Sequence, residues 1–276
     1  MKRAAHAKIN LFLRVLSLRE DAYHDLESLI VPVSLADEIV CREARKLELR
    51  LAPGSLRVSR GPDNLVIVAS LALAKACPGK GAEIELVKRI PVAAGLGGGS
   101  ADAAAVLQAL NELWGCSLSK EALQAVASQI GSDVPALLTG GPVLVGGRGE
   151  RLEPVTVPPL WWVLVRFAFQ IRTPDSYRWW DEDGSGTGPE PSDLIAAAAR
   201  GDVDAMARRI FNDLEEPVFR RHAEVGDMKA RLLDGGALGA IMCGSGPTVA
   251  GLCRSKEEAE GLAAKIPSAM IASSPP

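Results

Sequence analysis

The stretch Pro91-Val92-Ala93-Ala94-Gly95-Leu96-Gly97-Gly98-Gly99-Ser100-Ala101-Asp102 constrains this chain more than any other. It joins a strand-like run at residues 82–87 to an alanine-rich helical pattern that begins at Ala101. Glycine at positions 95 and 97–99 lets the backbone turn sharply and approach a ligand closely. N–H groups at a helix start, reinforced by the helix dipole, form a site for phosphate oxygens, with Ser100 placed to cap the helix or to meet a phosphate. A purely structural turn is the alternative reading. Two familiar phosphate loops fail on spacing. No lysine follows as G-x-x-x-x-G-K-[ST] demands, and Ser100 or Asp102 stands where the third small residue of G-x-G-x-x-G belongs.

Around this loop the patterning mixes strands and helices. Residues 4–18 alternate, with Ala7, Ile9, Leu11 and Leu13 on one face and Lys8, Asn10, Phe12 and Arg14 on the other, so Lys8 and Asn10 share a face. Further strands are expected at residues 30–33, 38–41, 47–51 and 82–87, with a helix at 64–75. Val106, Leu107, Leu110, Leu113 and Trp114 line one face of a helix that Gly115 ends; Ser119 opens the next, with Leu123, Val126, Ala127 and Ile130 as its buried stripe. Pro135 suits the first turn of a short helix that follows. Proline-rich residues 154–159 mark a domain boundary near 155, which gives domains 1–155 and 156–276. The second shows strand patterns at 161–167, 239–242 and 248–253, helical ones at 194–200, 203–211, 222–233 and 256–265, and a polar loop at 181–191. The expected class is α+β in two domains.

Composition narrows the function. The 276 residues, 47% hydrophobic and 24% charged, describe a globular protein able to bury a core without disulfide or metal staples. A net charge of −3 leaves no basic excess for nucleic acid. The most apolar run, residues 65–76, is far short of the ~20 residues that cross a bilayer. Lys8, Asn10 and Arg14 interrupt the apolar stretch that a secretion signal would need after Met1-Lys2-Arg3. Cys41, Cys77, Cys116, Cys243 and Cys253 are odd in number and contain no C-x-x-C pair, which argues against a disulfide framework and a zinc site and fits a reducing cytosol. Three scattered histidines, His6, His24 and His222, suggest no histidine-based metal centre.

Other segments carry candidate chemistry. Asp133, in Gly131-Ser132-Asp133-Val134-Pro135, is either a general base for an attacking hydroxyl or the N-cap of the helix that Pro135 begins. Lys8 is either a solvated strand residue or a cation that stabilises developing negative charge. Gly244-Ser245-Gly246 lies between two strand patterns and reads, taken alone, as a hairpin turn.

Four motifs in fixed order, Ala7-Lys8-Ile9-Asn10-Leu11, residues 91–102, Gly131-Ser132-Asp133-Val134-Pro135 and Gly244-Ser245-Gly246, together resemble the GHMP kinase superfamily over nearly the whole chain. Within it, the first motif with Tyr23-His24 and the glycine run is similar to the branch acting on a cytidine-diphosphate-linked methylerythritol in non-mevalonate isoprenoid synthesis. Pro62-Asp63-Asn64-Leu65-Val66, Leu152-Glu153-Pro154-Val155 and Asn212-Asp213-Leu214-Glu215 add to the resemblance. It implies a two-domain GHMP kinase fold, with an N-terminal ribosomal protein S5 domain 2-like part, a C-terminal ferredoxin-like α/β part, and the active site in the cleft between domains. It also implies a cytoplasmic enzyme that takes ATP with Mg²⁺ and a small-molecule alcohol, with no assigned metal ligand, no nucleic-acid or membrane partner, and no statement on oligomeric state.

Residue roles follow from the same resemblance. Asp133 would accept the proton of the 2-hydroxyl, and Lys8 would lower the aspartate's pKa and stabilise the transition state. Pro91, Val92, Ala93, Ala94, Gly95, Leu96, Gly97, Gly98, Gly99, Ser100 and Ala101 would cradle the ATP phosphates, and Gly244, Ser245 and Gly246 would close the site. Tyr23, His24 and Tyr177 would hold the cytosine by stacking and polar reading, and Asn10 would bond substrate beside Lys8. Asn64 and Lys88 are candidates for adenine. The chain departs from the family at Ala22, where glycine is usual, at His6, where proline or a small residue is usual, and in a short Asp183-Gly184-Ser185-Gly186-Thr187-Gly188 loop.

Overall fold

Alternation at the N-terminus extends into two long strands, β1 (Lys2–Leu18) and β2 (His24–Ala44). The computed structural model describes residues 1–21, 23–77, 81–184 and 188–274. Two compact units emerge: Met1–Ala7, Leu35–Val92 and Gly97–Gly140 form the first, and Lys8–Ser34, Ala93–Leu96 and Gly141–Pro276 the second. Both long strands contribute to both units, so neither unit is continuous in sequence. The strands expected at 30–33 and 38–41 are parts of the single strand β2.

In the first unit, β3 (Glu48–Leu51) runs parallel to β4 (Gly81–Val87), which pairs antiparallel with residues 38–44 of β2. Four helices, α1 (Leu65–Ala76), α2 (Gly98–Leu113), α3 (Lys120–Ala127) and α4 (Val134–Leu138), supply the other layer. Their starts follow local chemistry: Asn64 accepts from the Val66 N–H, Ser119 accepts from the Ala122 N–H, and Pro135 sits in the first turn of α4. Gly115, at φ +68°, follows the end of α2 in the left-handed conformation that glycine adopts without strain. Ile39, Ile84, Leu86, Leu73, Val106, Leu107 and Leu110 pack between helices and strands as an aliphatic core.

Helices α1 and α2 lie side by side and point the same way. Leu65, opening α1, would meet a Cβ on Gly99 at 3.4 Å, while Cys77 and Cys116, just beyond their far ends, are joined by a disulfide with Cα atoms 5.7 Å apart. That bond overturns the expectation of no disulfide. The pairing depends on parallel helix packing, which cysteine spacing along the chain does not record.

The second unit contains β5 (Val143–Gly147), β6 (Arg151–Pro154), β7 (Leu160–Val165), α5 (Thr173–Glu182), α6 (Ser192–Ala199), α7 (Val203–Ala207), β8 (Phe211–Asn212), α8 (Glu215–Arg221), α9 (Ala223–Asp234), β9 (Gly239–Met242), β10 (Val249–Cys253), α10 (Lys256–Ala263) and β11 (Met270–Ser274). Its antiparallel sheet has the order β11-β7-β10-β9. Taken in chain order these are the fourth, first, third and second strands, the ferredoxin-like arrangement expected of this half. Val163, Val165, Val225, Leu232, Val249 and Leu262 fill its core, and the buried Trp162 donates its indole N–H to Ser274 Oγ at 2.9 Å. Elsewhere in the unit, β5 pairs with residues 26–30 of β2 and with β6, while β8 lies parallel to β1, Phe211 opposite Phe12.

Three local expectations change. The helix expected over 203–211 ends at Ala207, because Phe211 is drawn into a strand beside β1. Helix α5 replaces what patterning left unassigned, its buried residues being Ser176 and Trp180 rather than an aliphatic stripe. Helix α8 is likewise new and buries only Pro217 and Val218. Ala22 and the Ser185-Gly186-Thr187 part of the polar loop lie outside the described residues.

Candidate active site

Strand alternation places Lys8 and Asn10 on one face of β1, and both are buried, at 4% and 2% exposure. The solvated-face reading of Lys8 therefore fails. Its Nζ donates to Asn10 Oδ1 at 2.6 Å, Asn10 Nδ2 donates to Ser28 Oγ at 2.8 Å, and Ser28 Oγ donates to the Phe12 carbonyl at 2.7 Å. A buried ammonium held this way is oriented before any ligand arrives, which is what charge stabilisation in a transition state requires.

The turn after β9 packs onto this group. Gly244 and Gly246 have φ of +53° and +84°, and a Cβ on Gly244 would stand 2.9 Å from Lys8 Nζ and 3.1 Å from the Gly95 carbonyl oxygen. Gly95 is equally constrained: its Cβ would fall 1.9 Å from the Cys243 carbonyl oxygen. Backbone bonds from Lys8 N to Leu96 O, at 3.0 Å, and from Thr248 N to Ala94 O, at 3.4 Å, fasten residues 94–96 in place. The second unit thus brings Lys8, Asn10, Ala94, Gly95, Leu96 and the Gly244-Ser245-Gly246 turn into one cluster.

Residues 212–215 brace the turn from behind. Asn212 Nδ2 donates to the carbonyls of Met242 and Gly244, each at 2.8 Å. Asp213 accepts from the Val15 N–H at 2.7 Å and Glu215 from the Met242 N–H at 2.8 Å, burial pushing both carboxyls above the usual range. Cys243 is no nucleophile here, since burial drives its thiol up to about 12.

A second cluster in the same unit surrounds His24. Its ring stacks on Tyr177 with centroids 5.1 Å apart, meets Trp180 edge-on at 5.7 Å, and places Nε2 2.9 Å from Asp181 Oδ1. Tyr23 stands apart from that stack, 47% exposed, with the Arg148 guanidinium 3.5 Å above its ring centroid. Sequence reasoning singled out Tyr23, His24 and Tyr177 but not the neighbours that contact them here, Trp180, Asp181 and Arg148. The signal available for the first two was Thr173-Pro174, a helix start that puts residues 177, 180 and 181 on one side of α5. That helix is tied to the glycine turn as well: Ser176 Oγ donates to the Ser245 carbonyl at 2.9 Å, and Thr173 Oγ1 lies 3.0 Å from Ser245 Oγ.

In the first unit, Gly97 is the left-handed N-cap of α2, at φ +67°. The helical bond from Ala101 N to Gly97 O, at 2.9 Å, closes the first turn, and the N–H groups of Gly98, Gly99 and Ser100 precede it. Val92, Ala93 and Gly99 are exposed, so this loop meets solvent with backbone and small side chains. Asp133 occupies the N-cap position of α4, in αR backbone and without a side-chain capping hydrogen bond. The Lys88 side chain is buried, its ammonium paired with Asp37 and Asp102. Among the described residues no group of three His, Cys, Asp or Glu side chains could hold a metal ion.

Residues 64–141 match the family described as GHMP kinases N terminal domain, and residues 194–272 match GHMP kinases C terminal. The chain is 42% identical to a 4-diphosphocytidyl-2-C-methyl-D-erythritol kinase of Symbiobacterium thermophilum, over 96% of this chain and 95% of that protein. It is 44% identical to the enzyme of the same name from Pelotomaculum thermopropionicum, over 95% and 92%. A crystal structure of 4-(cytidine 5'-diphospho)-2C-methyl-D-erythritol kinase superposes with a TM-score of 0.84 at 35% identity, covering 99% of each chain.

Proposed function

The chain belongs to the GHMP kinase family, and we propose that its buried Lys8 and its Asp133 carry out phosphoryl transfer from ATP to the 2-hydroxyl of 4-diphosphocytidyl-2-C-methyl-D-erythritol. The activity is that of its relatives, an ATP-dependent alcohol kinase of the methylerythritol phosphate route to isoprenoids. The observation that carries the residue assignment is the Lys8 ammonium, buried, held by Asn10 and backed by the two glycine segments 94–96 and 244–246. Phosphoryl transfer asks little covalent chemistry of a protein and much positioning and neutralisation of charge. Lys8 supplies a fixed cation, and Asp133 takes the hydroxyl proton.

Residues 91–101 hold the ATP phosphates in this reading, the glycines allowing approach and the start of α2 supplying N–H groups and dipole. Asn10 bonds substrate beside Lys8, and Gly244, Ser245 and Gly246 border the same group. Tyr23, His24 and Tyr177 hold the cytosine. Mg²⁺ carried on the nucleotide phosphates would neutralise part of their charge. Domains 1–155 and 156–276, taken as nucleotide-binding and substrate-contributing halves, and a cytoplasmic location complete the reading. No described helix is long and apolar enough to cross a membrane.

The test is direct. Purified protein should phosphorylate the cytidylated diol with ATP, and Asp133→Ala should lower kcat by about 10²- to 10⁴-fold, the usual contribution of a general base. Wild-type turnover by that variant removes Asp133 from the mechanism.

A further inference from the structure

The first unit holds a buried ion cluster that the catalytic assignment leaves unused. Lys88, 3% exposed, donates from Nζ to Asp37 Oδ2 at 2.5 Å and to Asp102 Oδ2 at 2.6 Å. Asp37, in β2, also accepts from the backbone N–H groups of Arg89 and Ile90, the second at 2.8 Å. Asp102, in α2, keeps its other oxygen, Oδ1, buried with no hydrogen-bond partner among the described residues. A Cβ on Gly98 would stand 3.1 Å from Lys88 Nζ and 2.8 Å from Ile90 Cγ2. The ammonium therefore lies directly beneath the first turn of α2.

A lone ammonium in that place is disfavoured twice, by lost hydration and by the positive end of the helix dipole. Asp37 offsets it and is itself saturated by three donors. Asp102 is the surplus carboxyl: burial raises it, Lys88 pulls it back, and the Asp37 charge raises it further, to about 8. Few other charges act there. Of the helices packed on α2, α1 carries only the exposed Lys75, α3 the exposed Lys120 and Glu121, and α4 none, with Asp133 at its N-cap. Glu112 on α2 itself is bonded to Arg3.

We propose that Lys88, Asp37 and Asp102 form a positioning triad for the nucleotide, clamping the first turn of α2 to residues 88–90 and keeping net negative charge from beneath its phosphate-facing N–H groups. The proposal rests on residues 91–101 binding the ATP phosphates. With a proton on Asp102 the triad is neutral; without it, the triad carries a negative charge that opposes the nucleotide.

The experiment is steady-state kinetics at saturating Mg²⁺, from about pH 7 to about pH 9.5, with thermal unfolding of each variant in parallel. At pH 7, Asp102→Ala should raise KM for ATP about tenfold while leaving kcat and the KM for the cytidylated alcohol within about threefold, and Asp102→Asn, which preserves shape and neutrality, should restore it. Wild-type KM for ATP should climb above about pH 8, and that of Asp102→Asn should stay flat. The proposal is overturned if Asp102→Ala leaves KM for ATP unchanged, if it moves all three constants together, or if Asp102→Asn follows the wild-type pH curve. An error in the loop assignment has its own signature. Gly99→Glu, which sets a carboxylate at the helix start, would then leave KM for ATP unchanged, and the triad's role would fall with it.

Discussion

The backbone of Gly244 rests against the Lys8 ammonium, so that a Cβ there would stand 2.9 Å from Nζ and 3.3 Å from Asn10 Oδ1. Gly244 also holds φ at +53°, in the left-handed region. Gly244→Ala therefore displaces Lys8 as well as straining the turn. We expect kcat to fall about 10- to 100-fold, from misplacement of a positioned charge, with a stability loss of about 1–2 kcal/mol. Turnover assays and urea unfolding on the same preparation check both.

Lys8→Met removes the cation and leaves Asn10 Oδ1 buried without its donor. Loss of fixed charge stabilisation should cost about 10²- to 10³-fold in kcat, and the unsatisfied acceptor about 1–3 kcal/mol. A variant that binds ATP normally and turns over at the wild-type rate would exclude Lys8 from the chemistry.

Asp181 fixes the ring of His24 from α5, 2.9 Å from Nε2. Asp181→Ala should raise the KM for the cytidylated alcohol about tenfold, the scale of one lost polar anchor, and leave the KM for ATP unaltered. Equal shifts in both constants would mean that Asp181 serves the fold and not the base.

The Cys77–Cys116 disulfide closes a span of 39 residues. In the chain-entropy account such a closure stabilises by about 4 kcal/mol, which for a protein of this size corresponds to roughly 10 °C in Tm. Dithiothreitol, or Cys116→Ser, should lower Tm by up to that amount without changing kcat well below the transition.

Asp102 also makes stability depend on pH. Its folded-state pKa is raised from an ordinary carboxyl value to about 8, so the folded chain holds a proton that the unfolded chain releases. Stability is therefore full below the unfolded value and declines as pH rises toward about 8. The Tm of Asp102→Asn relative to the wild type should rise steadily as pH goes from about 5 to about 8.5, because only the wild type must hold a proton against the rising pH. Parallel melting curves for the two proteins decide the sign.

Local chemistry was readable in the residues themselves. Asn64, Ser119, Gly115 and Pro135 mark helix ends by capping and backbone preference, and the alternation around Lys8 and Asn10 names a strand and a shared face, because these depend on near neighbours in the chain. The run at Gly95 and 97–99 likewise marks a left-handed helix start that any fold using it must respect. Whether that shared face met water or a core was decided elsewhere. Lys8 is buried because Leu96 and Gly244, distant in sequence, close on it: its N–H donates to the Leu96 carbonyl, and the Gly244 backbone rests against its ammonium. Cys77 finds Cys116 because α1 and α2 run parallel, and His24 finds Asp181 because Ser176 and Thr173 tie α5 to the turn at Ser245. Each is a meeting between segments whose separation carries no periodic signal, so burial and pairing at these residues are properties of the packed structure alone.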